Sequence, residues 1–239
     1  MSNNPVGSVR VISRNMQPFE DRVQAGRLLA EQMRQYRGSN PIVLGIPRGG
    51  VITARELAQE LDGDLDVVLS RKLGAPGQPE LAMGSMAEDG TVFLNQGVVH
   101  ALGVAPREIE QEKGRQMAEM QRRARLVRSV YPRIPLKDRI VIVTDDGVAT
   151  GATMQAALWV ARHENPQRLI AAMPVASQEA LNKLAEDTDE TVCLHLPSYF
   201  YAVGQWYRDF PQVDDGEVLQ ILAEQSRTRG GVQHDSTVA

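Results

Sequence analysis

The sequence predicts an α/β domain built on a parallel sheet with helices on both faces, and three observations carry that expectation. Short apolar runs rich in β-branched residues recur at 42–46, 65–69, 139–144, 169–174 and 191–196. Segments with apolar residues at helical spacing separate them, and such alternation implies right-handed crossovers between parallel strands. Several of the runs are apolar at every position, as strands covered on both sides must be.

The first helix is expected from Phe19, with Val23, Leu28, Leu29, Met33 and Tyr36 near one face, and Gly38–Asn40 ends it. The strand 42–46 leads into the tight loop Pro47-Arg48-Gly49-Gly50. A helix carrying Val51, Ile52, Leu57 and Leu61 follows. Strand 65–69 ends at Ser70-Arg71-Lys72. The stretch from Gly74 to Asp89 is rich in Gly and Pro and is expected to be a loop without structure of its own. A short strand is expected at 91–95. Pro106 opens a long, mostly solvent-facing helix to about Arg128, supported by Glu–Arg spacings. After strand 139–144 come a helix at about 151–163, strand 169–174, helix 178–185, strand 191–196 and an amphipathic helix 214–225. Residues 1–18 are expected to be a flexible lead-in, 19–226 a single domain and 227–239 a disordered tail.

Composition narrows the function classes. A net charge of −4 gives no whole-molecule field for nucleic acid, although arginines between 107 and 139 allow a local basic patch. The one cysteine, Cys193, cannot form an internal disulfide or a Cys-rich zinc site, and its apolar surroundings suggest an inert thiol. His100, His163, His195 and His234 have no metal-ligand spacing. No apolar run approaches the ~20 residues of a membrane span, and Met1–Arg14 lacks the apolar core of a signal peptide. A cytoplasmic protein that binds neither nucleic acid nor membrane is the expectation.

In open parallel sheets ligands bind beyond the carboxyl ends of the strands, which directs attention to the loops 47–50, 70–90 and 145–153. The last of these holds most of the chemistry. An apolar strand runs into Asp145-Asp146, then the small-residue loop Gly147-Val148-Ala149-Thr150-Gly151-Ala152-Thr153, then a helix. Backbone N–H groups of such a loop and of a helix N-terminus favour an anion. Gly151 permits close approach and the threonine hydroxyls add donors. Tandem carboxylates accept hydrogen bonds from vicinal hydroxyls or hold a hydrated Mg²⁺. The lysine of the usual nucleotide-binding loop is missing.

The segment 140–153 resembles the signature of type I phosphoribosyltransferases, which bind 5-phosphoribosyl pyrophosphate (PRPP). The resemblance implies that Asp145 and Asp146 take the ribose hydroxyls, and that 147–153, with 149–153 at the phosphate itself, form the PRPP loop. It implies Mg²⁺ as cofactor, with the two aspartates acting on it indirectly, through PRPP or water. Pro47-Arg48-Gly49-Gly50 stands where the family's pyrophosphate loop stands, often with a cis peptide, here Pro47–Arg48. Arg71 and Lys72 follow the strand at whose end the family places a basic pyrophosphate contact, and 74–89 would be the loop that closes over the site. Arg48 and Lys72 would then stabilise the departing pyrophosphate, while the aspartates fix the ribose. The aromatic segment 197–210 matches the family's small C-terminal hood. There Phe200, Trp206 or Tyr207 could stack on an acceptor ring and Asp209 could accept a ring N–H.

The resemblance thus implies a pentosyltransferase of nucleotide metabolism that transfers phosphoribosyl from PRPP to a nitrogenous base or related acceptor. A homodimer is expected, as in many relatives. Enzymes for 6-oxopurines carry an acid where this chain has Ala149, which disfavours that acceptor class and leaves the others open. The alternative is a non-catalytic PRPP sensor on the same fold. An interaction module built on helix 106–128 is a third reading.

Overall fold

A computed structural model describes residues 7–232. Its main sheet consists of β1 (Ser8–Ser13), β2 (Ile42–Gly45), β3 (Asp64–Val67), β7 (Ile140–Thr144), β8 (Arg168–Val175) and β9 (Glu190–His195). These six strands are all parallel, in the order β1-β9-β8-β7-β2-β3. Between them lie α1 (Arg22–Glu31), α2 (Gly50–Glu60), α5 (Ala152–Arg162) and α6 (Gln178–Ala185), and α7 (Asp215–Val232) follows.

The strand order dictates where the helices go. From β2 to β3 the chain steps toward one edge, and from β7 through β8 to β9 it steps toward the other. Right-handed crossovers in opposite directions put α2 on one face and α5 and α6 on the other. α1 packs on α2 and completes the first face. The direction reverses between β2 and β7, neighbours in register from Ile42↔Val141 to Gly45↔Thr144. A crevice opens where two such connections diverge. The central strands are buried along most of their length, with Val43, Val141, Ile142 and Val143 fully covered.

Three expectations need correction. The supposed lead-in contains β1, which pairs with β9 from Ser8↔Glu190 to Ser13↔His195. As an edge strand it leaves Val9 and Ile12 exposed, so its sequence lacks the apolar run of the inner strands. The stretch 74–89 is no unstructured loop. With Ser70–Lys72 it forms β4 (Ser70–Ala75) and β5 (Gln78–Ala87), joined to β6 (Val92–Leu94) in an antiparallel sheet. Pro76-Gly77, with Gly77 at φ +72°, makes the hairpin turn. β4 and β5 pack on α5, so the hairpin rests on the scaffold. Finally, the last helix runs past residue 226 to Val232; the rest of the expected tail, 233–239, lies outside the described residues.

A short helix α3 (Gln96–Leu102) leads to α4 (Pro106–Val130). α4 has Pro106 in its first turn, and only Met120 and Val127 on it are buried. It is tied down by Arg128, which reaches Asp66 on β3 at 2.8 Å and Glu88 at 3.0 Å.

Candidate active site

The loops after β2 and β7 meet at the reversal point of the sheet. The Ile46 N–H donates to the Thr144 carbonyl at 2.9 Å, which holds the two strand exits level. Pro47–Arg48 is a cis peptide, and Gly49-Gly50 then turns into α2. These glycines lie against the tandem aspartates. A side-chain carbon on Gly50 would sit 2.8 Å from both Cα and Oδ1 of Asp145, and one on Gly49 would sit 2.0 Å from Oδ2 of Asp146. No larger residue fits there without displacing an acid. Arg48 is half-buried beside them, and its guanidinium has no hydrogen-bond or ion-pair partner among the described residues.

The aspartates have different surroundings. Asp145 accepts from the Asp146 N–H at 2.9 Å through Oδ1. Burial, and then the neighbouring Asp146 charge, hold its carboxyl well above the usual aspartate range. Asp146 is raised too, chiefly by burial, but Arg22 opposes the shift. The Arg22 Nε donates to Asp146 Oδ2 at 2.7 Å, with side chains 8% and 14% exposed. Like charges in a partly desolvated site resist simultaneous ionisation, so a cation at Asp146 eases both.

Beyond the aspartates the chain forms an open cradle. Gly147 packs against Val175 and Val203. Val148 bridges to Ala176, and the Ser177 hydroxyl donates to the Ala149 carbonyl at 2.6 Å. Ala149, Thr150 and Thr153 are exposed, Gly151 takes φ +76°, and α5 begins at Ala152. The first N–H groups of that helix have no carbonyl of their own turn to bond, which suits an anionic ligand. Ser177 was not legible as a contributor; its position at the N-cap of α6 was the available signal.

Residues 17–208 match the family model of the phosphoribosyl transferase domain. The chain belongs to that family. Two Mycobacterium tuberculosis relatives, from strains CDC 1551 and H37Rv and each named "Putative phosphoribosyl transferase", are 44% identical over 207 residues. The match takes in 87% of this chain and 47% of each relative, so the chain spans about half their length. Among solved structures, TT1426 from Thermus thermophilus is 45% identical and superimposes with a TM-score of 0.83 over 88% of this chain and 99% of that one. The parallel sheet flanked by helices is the type I phosphoribosyltransferase fold expected from the motif at 140–153.

The other expected phosphoribosyltransferase site residues are placed unevenly. Lys72 is half-buried on β4, opposite Ser85 of β5. Arg71 turns toward α4, where Glu119 lies 3.8 Å away. In the hood segment Asp209 is exposed, Phe200 is half-buried, and Trp206 packs edge-on against His195 at 4.4 Å. Tyr207, expected to offer a ring face, is instead buried. It packs between Phe19 and Phe210, and its hydroxyl donates to the Asp146 carbonyl. The freely exposed rings of this segment are Tyr199 and Tyr201. An open hollow of about 390 Å³ lies between the hood and the glycine loop, lined by Arg22, Arg48, Gly49 and 210–213.

Proposed function

We propose that this chain transfers the 5-phosphoribosyl group of PRPP to a nitrogen of a base or related acceptor and releases pyrophosphate. One observation carries the reading: tandem aspartates touch a glycine loop at the reversal point of a phosphoribosyltransferase sheet, and that loop bears a half-buried arginine whose guanidinium has no partner among the described residues. Asp145 and Asp146 accept the ribose hydroxyls, the loop 147–153 and the start of α5 bind the 5-phosphate, and Arg48 with the loop 47–50 binds the pyrophosphate. Lys72 on β4 would supply a second positive charge to the pyrophosphate.

In the reaction the C1′–O bond breaks with both electrons leaving on pyrophosphate, and the acceptor nitrogen supplies the pair for the new C1′–N bond. The proton displaced from that nitrogen passes to solvent or to the leaving group. Positive charge develops at C1′, so the protein contributes alignment, a guanidinium at the leaving oxygens and restricted water rather than covalent chemistry. Two carboxylates fit a Mg²⁺ that keeps waters and phosphate oxygens in its shell, and no group of three or more potential metal ligands exists among the described residues. When bound with PRPP, Mg²⁺ would neutralise the pyrophosphate. The hollow beside Phe210 would take the acceptor.

A screen of bases for pyrophosphate release from Mg²⁺–PRPP tests the reading, with Asp145→Asn as control. Turnover with one acceptor and its loss in the variant are expected. PRPP binding without turnover on any base would favour the sensor reading, and absence of PRPP binding would overturn both.

A further inference from the structure

Arg22 is the buried guanidinium that the family motif does not account for, and its surroundings form a closed circuit. Its Nε pairs with Asp146 Oδ2 at 2.7 Å, its Nη1 donates to the Pro211 carbonyl at 2.8 Å, and its plane covers Phe210 at 3.7 Å from the ring centroid. Phe210 stacks on Tyr207, with centroids 4.8 Å apart and planes 28° from parallel. The Tyr207 hydroxyl returns to the Asp146 carbonyl. The Asp146–Arg22 pair also touches the pyrophosphate loop, since a side-chain carbon on Gly49 would lie 2.9 Å from Arg22 Nε.

We propose that Arg22 is a positioning residue that couples the ribose-binding acid Asp146 to the acceptor hood, so that PRPP binding and hood geometry are set together. The inference rests on the function proposed above. With Oδ2 held by Arg22, Asp146 presents Oδ1 to a ribose hydroxyl in one orientation. A shift of that carboxylate when sugar binds moves the guanidinium, and with it Phe210 and Tyr207. Three simultaneous engagements, an edge-on ion pair, a carbonyl contact and a stacked face, require a planar fork. An ammonium group can keep only the charge.

A merely structural ion pair would predict lower stability when Arg22 changes and nothing else. Tryptophan fluorescence separates the cases, because the chain has two tryptophans and Trp206 adjoins Tyr207. Trp159, bonded to Asp187 at 2.9 Å on α5, can be removed as Trp159→Phe. In that full-length background, titration with Mg²⁺–PRPP is followed both by Trp206 emission and by calorimetry. The Trp206 signal is expected to change on binding. Arg22→Lys is expected to weaken PRPP roughly tenfold, the equivalent of one charge-assisted hydrogen bond, and to abolish the Trp206 response. Phe210→Leu leaves the ion pair and removes the stacked ring. It removes a contact within the protein and none to the ligand, so PRPP affinity should fall by no more than about fivefold, the equivalent of ~1 kcal/mol of cation–π energy, while the response is still lost.

An unresponsive Trp206 in the parent overturns the coupling. So do variants that bind and respond like the parent while melting at a lower temperature. Should Arg22→Lys not fold, Phe210→Leu decides: a retained response overturns the proposal and a lost one with intact affinity supports it. A parent that binds no PRPP overturns the underlying functional reading, a result recognisable before any variant is made.

Discussion

Replacing Gly49 by alanine sets two effects against each other, and the structure decides which wins. Gly49 has φ −60° and ψ −36°, a conformation alanine adopts freely, so restricting the unfolded chain would stabilise by about 0.4–1 kcal/mol. Against this, the added carbon would lie 2.0 Å from Asp146 Oδ2, 2.8 Å from its Cγ and 2.9 Å from Arg22 Nε. Ordinary contacts need about 3.5 Å, so the ion pair must shift by on the order of 1 Å or more. Overpacking of this kind costs about 1–3 kcal/mol. The clash outweighs the entropy term, leaving a net loss of about 1–2 kcal/mol. For a chain of this size that lowers Tm by roughly 2–8 °C. PRPP affinity should fall at least about tenfold, because the displaced group is the acid proposed to hold the ribose. Gly114→Ala is the internal control: that position is exposed within α4 and has no atom within 4 Å of an added carbon. It should gain about 0.5–1 kcal/mol. Thermal unfolding by circular dichroism and calorimetric PRPP titration read both variants. A Gly49→Ala protein as stable as Gly114→Ala, with parental PRPP affinity, would refute the placement of the glycine loop against the acids.

Other perturbations follow from the same geometry. Asp145 has a carboxyl pushed up by burial and by Asp146, so the folded protein retains a proton that the unfolded chain releases. Its stabilising effect is full below the ordinary aspartate pKa and declines as pH rises toward the elevated folded value. Asp145→Asn should therefore raise Tm at neutral pH by more than it does in acid, while abolishing PRPP binding; equal Tm differences at both pH values would contradict this. Arg48→Ala removes a guanidinium with no partner among the described residues. Stability should stay within about 0.5 kcal/mol while PRPP affinity drops about 10- to 100-fold, and a large Tm loss would show that Arg48 serves packing. Cys193 is fully buried with its thiol pushed up to about 12 by burial. It should resist iodoacetamide at pH 8 until the protein is unfolded, and rapid native-state labelling would disprove its burial.

How much of this was legible in the sequence depended on the range of the interaction. The strand 140–144, the acid pair and the start of α5 are local in sequence, so pattern and motif located them together. The cis peptide at Pro47–Arg48 followed from the resemblance. The hairpin of β4 and β5 was missed because Pro76-Gly77 and the glycines at 74 and 84 read as loop signals, although a Pro-Gly turn is also how a hairpin closes. β1 was missed because an edge strand with one paired side need not be apolar throughout. Arg22 was invisible for a different reason: it meets Asp146 across 124 residues, and nothing in its local sequence distinguishes it from a surface arginine at the start of a helix. Tyr207 was legible as an aromatic near the hood, but only the packing of Phe19 and Phe210 on it reveals that it is a buried strut.

Under the proposed function the loops after β2 and β7 grip one ligand jointly, by its pyrophosphate and by its ribose 5-phosphate. Parallel calorimetric titrations with Mg²⁺–PRPP, Mg²⁺–pyrophosphate and ribose 5-phosphate measure this directly. PRPP should bind at least about tenfold more tightly than either fragment, since tethering makes the second contact intramolecular. Pyrophosphate or ribose 5-phosphate binding as tightly as PRPP itself would mean that one loop acts alone, and would contradict the account.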